Sequence, residues 1–430
     1  MNIRLTLSAF GLCASLSAAA TNGSTTVTFN KDVAPILQKN CQSCHRPGEA
    51  APMPLLTYKQ VRPWASAIKE AVALKKMPPW FADPHFGQWS NDRSLAKSDI
   101  DTIARWVDSG APEGNAKDAP VPVKFVDGWN IAKPDMVLEM PADYQVPANG
   151  TIDYQYILIP GKFTEDKWVK MAEVRPGNRA VVHHVIAFIR PPGSKWMQDA
   201  QPGVPYVPKK GEGGEQGEFL VGFAPGVVPE VMETGRAKLI KAGSDIIFQM
   251  HYTADGKEAT DRSRIGLVFS NEAPKEQVYT LAAGTNKFAI PAGDPNYQVD
   301  SKFEFGHDAK VIAFLPHMHL RGKDFEYRVK YPDGRTETIL KVPHYSFSWQ
   351  LSYYPVNALE LPAGAVIECT AHYDNSPNNP ANPDPTQVVR RGDQSWEEMM
   401  IGFFDVAVDP KLDPKELMPK RRSNAPKPAL

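Results

Sequence analysis

The chain has 430 residues and a formal net charge of −1, a length that favours two or three domains, each with its own core. So small a charge gives no electrostatic reason to expect nucleic acid or an acidic membrane surface as partner. The 40 prolines argue for many turns and strands and against a helical bundle.

At the start, Arg4 precedes a mostly apolar stretch from Leu5 to Leu16 that ends in Ser17-Ala18-Ala19-Ala20. This reads as a cleaved secretory signal over residues 1–20. The stretch is too short to span a bilayer, and no later one approaches the roughly 20 apolar residues a spanning helix needs. Phe10-Gly11-Leu12 before Cys13 is a poor lipoprotein signal, so the expectation is a soluble mature chain, periplasmic or secreted. Cys13 leaves with the signal, Cys41 and Cys44 share one motif, and Cys369 reads as a buried strand residue. With no disulfide pair to spare, core burial and metal ligation must hold the exported chain together.

Residues 26–115 carry a helical pattern. Asp32 can cap an apolar face at Val33, Ile36 and Leu37, Ala65 to Leu74 is a good helix former, and Ile100, Ile103, Ala104 and Trp106 form a stripe that stops at Gly110. Cys41-Gln42-Ser43-Cys44-His45 is the attachment sequence of a c-type haem, in which two thiols add to the vinyl groups and the adjacent histidine ligates iron. A zinc or redox reading of this CxxC lacks a second ligand pair. For the other axial position the candidate is Met77, in Lys76-Met77-Pro78-Pro79-Trp80, where two prolines stiffen the presenting loop. Core packing is the alternative for Met77, and His85 is the rival ligand. Residues 116–134 read as a linker.

From about Phe125 onward, short β-rich runs are bounded by Pro, Gly and Asn, which suggests antiparallel sandwiches over residues 135–280 and 281–409, followed by a poorly ordered tail, 410–430. An internal repeat supports two units. Ala242-Gly243 is followed by Ile246 and His251-Tyr252, and Ala363-Gly364 by Ile367 and His372-Tyr373 at identical offsets. The segments Gln201–Gly217 and Asp374–Gln394 look like long irregular loops of the kind that often carry function.

The histidines that matter are His183-His184, His251 and the His317-Met318-His319 run. On a strand, His317 and His319 project from one face and can grip one metal while Met318 points away. His183 and His184 would point to opposite faces, and reach one ion only if the strand bends. Late in the chain comes Glu397-Glu398-Met399-Met400, in which periodicity does not distinguish the two methionines. Imidazoles with a thioether suit copper, particularly Cu(I), better than zinc.

His183-His184, His251, His317 to Lys323, Tyr354-Pro355-Val356 and Glu397-Glu398-Met399 occur in an order that resembles the type II copper, ascorbate-dependent monooxygenases, the group of peptidylglycine α-hydroxylating monooxygenase and dopamine β-monooxygenase. The resemblance covers roughly residues 135–408, and residues 26–115 separately resemble small bacterial cytochrome c domains. The fold so implied is multidomain: a small all-α cytochrome c domain followed by two all-β antiparallel sandwich, or jelly-roll, domains.

The resemblance also implies two mononuclear copper sites facing each other across a solvent cleft. His183, His184 and His251 would hold the copper that relays an electron; His317, His319 and Met399 would hold the copper at which oxygen binds. Met399 is preferred over Met400 because it follows the acidic pair, and the repeat makes His372 a competing ligand. Where peptide-amidating members place an arginine and a tyrosine for the substrate carboxylate, this chain has Leu315 and Phe403, which argues against a peptide C-terminus as substrate.

Inserting one oxygen atom into a C–H bond needs dioxygen, two protons and two electrons. The haem, a one-electron carrier, would take the place of ascorbate. The reading is a periplasmic copper monooxygenase acting on a small, largely apolar or aromatic molecule, with dioxygen and an external electron donor as further partners. Two alternatives remain: a haem and copper electron-transfer or copper-binding protein without oxygenase activity, and a haem docking or sensing module beside a plain binding scaffold.

Overall fold

Strand is the dominant element of the structure, as short runs rich in branched and aromatic residues require. A computed structural model describes residues 26–49, 51–125, 128–207, 217–224 and 227–419; 35% of the chain is strand and 12% helix. The expected signal at 1–20, most of the loop 201–217 and the end of the tail lie outside the described residues. Among the described residues no helix is long and apolar enough to cross a membrane.

The expectation of a small all-α cytochrome c domain followed by two all-β antiparallel sandwich domains is overturned. The helices Ala34–Asn40, Tyr58–Val61, Ala65–Ala73 and Lys97–Asp108 are short, and no all-α domain closes around them. They bury a modest cluster that includes Leu37, Val61, Ile103 and Trp106. Between the last two helices the chain leaves that cluster, and Ala82 and Trp89 enter the core of the C-terminal β region with Trp80 and Phe81 packed against it. Trp89 meets Tyr353 edge-on at 5.6 Å and Phe314 at 6.1 Å. The Asp83 and Ser90 amides donate to the carbonyls of Lys341 and Tyr354, each at 2.8 Å. Helical periodicity showed that these helices have apolar faces, but short helices offer too little surface to bury the aromatic residues between them.

Nor is the β region two separate sandwiches. One sheet runs through all of it, in the order Met136–Glu139, Arg264–Phe269, Lys167–Arg175, Arg236–Ile240, Glu276–Thr285, Met400–Val408, Ala309–His317 and Leu359–Leu361. Its two halves join where Glu276 and Gln277 pair in parallel with Arg236 and Ala237. The ion pairs Arg236–Glu276 (2.7 Å) and Lys310–Glu276 (2.6 Å) brace that junction.

A four-stranded sheet packs on each half. The first has the order Gln155–Ile159, Asp245–Tyr252, Val182–Arg190, Glu218–Phe223; the second Tyr297–Glu304, Val366–Tyr373, Gly322–Lys330, Thr336–Val342. The repeat seen in sequence occupies the same place in both: strands Asp245–Tyr252 and Val366–Tyr373 are second in their sheets. Each follows a glycine, Gly243 (φ +77°) or Gly364 (φ +82°), in a conformation that disfavours any side chain. Core residues of the first unit include Val185, Phe248 and Leu267, and those of the second Phe314, Tyr327 and Phe404.

Because Trp89 is a core residue of the β region, Trp89→Ala should destabilise that region by about 3–5 kcal/mol, read as a lower urea midpoint of the strand signal. An unchanged midpoint would show that the segment merely rests on the surface.

Candidate metal centre

Strand Val182–Arg190 bends at the point where two adjacent histidines need it to. Val182 pairs with Tyr252 and His184 with His251, so His183 is an inserted residue with no opposite number. Such a bulge turns consecutive side chains towards one side, where a regular strand would send them to opposite faces. His251 arrives as the cross-strand partner of His184. One nitrogen from each of His183, His184 and His251 lies within 4.8 Å of the others. The Nδ1 atoms of His183 and His184 are 3.4 Å apart, about the separation of two nitrogens bound at about 2.0–2.1 Å to one tetrahedral ion. His251 Nδ1 is buried without a hydrogen-bond partner, a costly state for a polar atom that no ligand satisfies.

The second set is His317, at the end of strand Ala309–His317, and His319, with ring centroids 5.2 Å apart. Met318 turns into the core; the Tyr345 hydroxyl accepts its amide (3.1 Å) and donates to its carbonyl (2.7 Å). His317 Nδ1 faces Gln350 Oε1 at 2.7 Å and His319 Nδ1 faces the Glu397 carbonyl at 3.2 Å. Both partners are acceptors, so both Nδ1 atoms carry the proton and each Nε2 keeps a lone pair for a ligand. His319 Nε2 is buried and unpartnered.

Glu398, adjacent to Met399, holds the backbone of this turn. Its carboxylate accepts the amides of His319 (2.8 Å) and Arg321 (2.7 Å), and Arg321 in turn donates to Asn375 and to the Trp396 carbonyl. Burial pushes the Glu398 carboxyl up to about 8, while the two amides and Arg321 pull it down.

Met399 lines one cavity of about 410 Å³ together with His184, His317 and His319; Met400 is fully buried in the core. The two histidine sets thus border the same space. Phe347 stacks on His183 (5.3 Å, 16°) and meets His319 edge-on (5.8 Å), so one side chain stands between them. Tyr154 lies 5.1 Å from His184 and 4.8 Å from His251, its hydroxyl buried and unpartnered.

Burial holds every one of these imidazoles below the ordinary histidine range. His251 is brought to about 3 by burial and then by His183; His319 is brought to about 3 by burial and then by His317. His184 is held well below that range by burial, with repulsion from His251, His183, His317 and His319 added. The site is therefore neutral at pH 7, the state in which imidazole ligates metal.

His372 is not brought to either set. It pairs with Asp324 at 2.7 Å. In the repeat, Asp324 stands where His184 stands, opposite a histidine and after the same kind of bulge. Cys369 is buried against Gly402, where a Cβ would lie 2.5 Å from its Sγ, and serves close packing.

The CxxCH loop follows helix Ala34–Asn40. The amides of Cys44 and His45 both donate to the Cys41 carbonyl, both thiols are free, and burial, then Cys44, pushes the Cys41 thiol up to about 12. His45 Nδ1 faces the Met53 carbonyl at 3.1 Å, which leaves a lone pair on Nε2. Glu49 ties the loop to the β region through Arg175 (3.5 Å) and Arg179 (3.3 Å). Met77 is half-buried beyond helix Ala65–Ala73. His85 is exposed and held by Asp83 at 2.6 Å, on the stretch that packs on the β region.

Tyr154, Tyr345, Phe347 and Gln350 were missed by sequence reasoning. None stands in a motif; they act across distances of tens to more than a hundred residues, and no short-range signal marks them. Glu398 was noticed only for its place beside Met399.

No family model matches the chain, and no curated protein matches it. A structure of PNGF-II in space group C2 is 10% identical with a TM-score of 0.26, over 64% of this chain and 65% of that one, so the chain spans just under two thirds of PNGF-II. The VP2 subviral particle of infectious bursal disease virus is 8% identical with a TM-score of 0.18, over 68% of this chain and 76% of that one. VP54 of PBCV-1 is 9% identical with a TM-score of 0.22, over 66% and 96%.

Two outcomes follow from this geometry. Unfolded histidines titrate near 6.5, and His251 and His319 stay neutral in the fold down to about 3. Between those values the unfolded chain binds more protons, so the contribution of these residues is full above about 6.5 and is lost as pH falls towards 3. The metal-free protein should melt at progressively lower temperature from pH 7 to pH 5, and His251→Asn should flatten that dependence. Glu398→Gln, which turns a donor towards one of the two amides that the carboxylate accepts, should weaken metal binding at His317 and His319 by about 10–100-fold, measured by competitive chelation.

Proposed function

We propose that the chain is a copper-dependent monooxygenase that hydroxylates a C–H bond of a small organic substrate, with electrons fed through a haem attached at Cys41 and Cys44. The observation that supports this most is the meeting of His184, His317, His319 and Met399 on one largely apolar cavity, with ring nitrogens left without partners in each histidine set. Imidazoles joined by a thioether suit copper over zinc. When bound, copper at the two sets would exchange single electrons and activate dioxygen, and the haem would supply electrons one at a time.

The chain's own residues divide the remaining work. Gln350 and the Glu397 carbonyl fix the tautomers of His317 and His319. Glu398 and Tyr345 hold the turn that presents them. Leu315, Ile401 and Phe403 wall the cavity beside them, orienting an apolar C–H bond and excluding water. Leu315 and Phe403 offer no charge to a peptide carboxylate. Phe347 and Tyr154 fill the space beside and between the sets with rings. At the other end of the electron path, Glu49 holds the Cys41–His45 loop against Arg175 and Arg179.

The test begins with copper-loaded, haem-reduced protein kept free of oxygen. On admitting oxygen with candidate substrates, haem reoxidation should accompany a hydroxylated product, with two electrons drawn from the reduced centres for each product molecule. His317→Ala and Met399→Ile should each abolish product while haem content stays normal. Product-free reoxidation of equal rate in wild type and His317→Ala would reject the proposal in favour of simple electron transfer.

A further inference from the structure

The cavity that borders the histidines extends to an end of opposite chemistry. Along strand Met400–Val408 and the residue before it, the side chains bordering it at every second position are Met399, Ile401, Phe403 and Asp405. The neighbouring strand adds His317, Leu315 and Ala313 in the same direction. Ligand-type residues thus occupy one end and apolar ones the middle. At the far end Glu218 and Glu230 join Asp405. At about 3.3 Å per residue, the four steps from Ile401 to Asp405 span on the order of 13 Å.

Three carboxyls gather there, and Lys238 is the cation that acts on both Glu218 and Glu230, with Lys241 acting on Glu218 as well. Lys238 is fully buried, but its Nζ is spent on the Leu220 carbonyl (3.1 Å) and the Thr280 hydroxyl (3.2 Å), and Thr280 donates to Asp405. Glu218 Oε1 is buried with no hydrogen bond at all. An unpaired buried carboxylate oxygen is costly, and Glu218 Oε1 is the atom that a bound cation would satisfy. Glu230, Asp405 and Tyr354 also border a second cavity of about 350 Å³, which brings open space to the charged end.

We infer that Glu218, Glu230 and Asp405 seat a cationic nitrogen, and that the substrate is an extended apolar molecule with an ammonium group at one end. Its other end lies at the histidines; the inference rests on the monooxygenase reading only for what happens there. The apolar stretch sets the ammonium on the order of 10 Å from the reacting carbon, and a cavity of about 410 Å³ is of a size that takes a small-molecule ligand. Burial pushes Glu218 and Glu230 up to about 7, with Asp405 raising both, Lys238 lowering both and Lys241 lowering Glu218. A seated ammonium pulls them down, so binding releases protons at neutral pH and weakens as pH falls below about 7.

Calorimetric titration of the metal-free, full-length protein with octylammonium, 1-octanol and octanoate tests the seat. Octylammonium should bind at least about tenfold more tightly than octanol, with octanoate weakest. Glu218→Gln should remove at least about tenfold of the ammonium affinity and leave octanol binding unchanged, which also reports that the cavity is intact. Asp405→Asn should act in the same direction. Equal affinity for the three probes, octanoate binding tightest, or ammonium binding unchanged in both variants would overturn the seat. Because no metal is present, these results stand whether or not the copper reading does.

Discussion

The site depends on buried imidazoles with lone pairs that no described residue satisfies. His251 Nδ1 and His319 Nε2 are enclosed without partners, and His183 and His184 turn Nδ1 towards Nδ1. Folding leaves such atoms unpaired only where packing elsewhere outweighs their desolvation. Here two hydrophobic cores do so, one beneath each four-stranded sheet. The bend falls on a single inserted residue, His183. Without that bulge, the two adjacent histidines would face opposite sides of the sheet and the first set would be a pair.

The duplicated unit shows the same backbone device put to a different use. The strand of the second unit that corresponds to the bulged one shifts register at the equivalent place, and again a histidine lies across from the residue that follows. Yet that residue is Asp324, and His372 finds an ion-pairing partner where His251 finds other histidines. One acidic side chain replaces a ligand-forming arrangement by a satisfied one. Backbone geometry is therefore shared between the units, and chemistry is decided by which side chain follows the bulge.

The shared cavity follows from the continuous sheet. Parallel pairing of Glu276 and Gln277 with Arg236 and Ala237 sets the second half of the long sheet beside the outer face of the first small sheet. That face carries Tyr154, Phe188 and Phe219, and Phe219 meets Phe403 of the long sheet at 6.5 Å. The histidine sets, contributed by different units, come to one space because this junction sets the two units side by side in one sheet. The aromatic stretch from Trp80 to Trp89 then packs on the second unit's core, while Glu49 holds the CxxCH loop to the first unit.

What the sequence determined alone was local. The adjacent histidines, the alternate pair around Met318, the CxxCH run and the glycine-led repeat are patterns over a few residues, although His319 lies just past the end of its strand and is set by the turn that Glu398 holds. The choice between Met399 and Met400 was open to periodicity, and the structure turns Met399 to the cavity and Met400 to the core. Only the tertiary structure could decide that the helices build no domain of their own, that one sheet unites the β region, and that both histidine sets border one cavity with carboxyls at its far end. Those outcomes depend on contacts between residues far apart in the chain, such as Trp89 with Tyr353, Phe347 with His183 and Glu398 with the His319 amide. Their energy comes from which surfaces meet, and nothing in the nearby sequence encodes that.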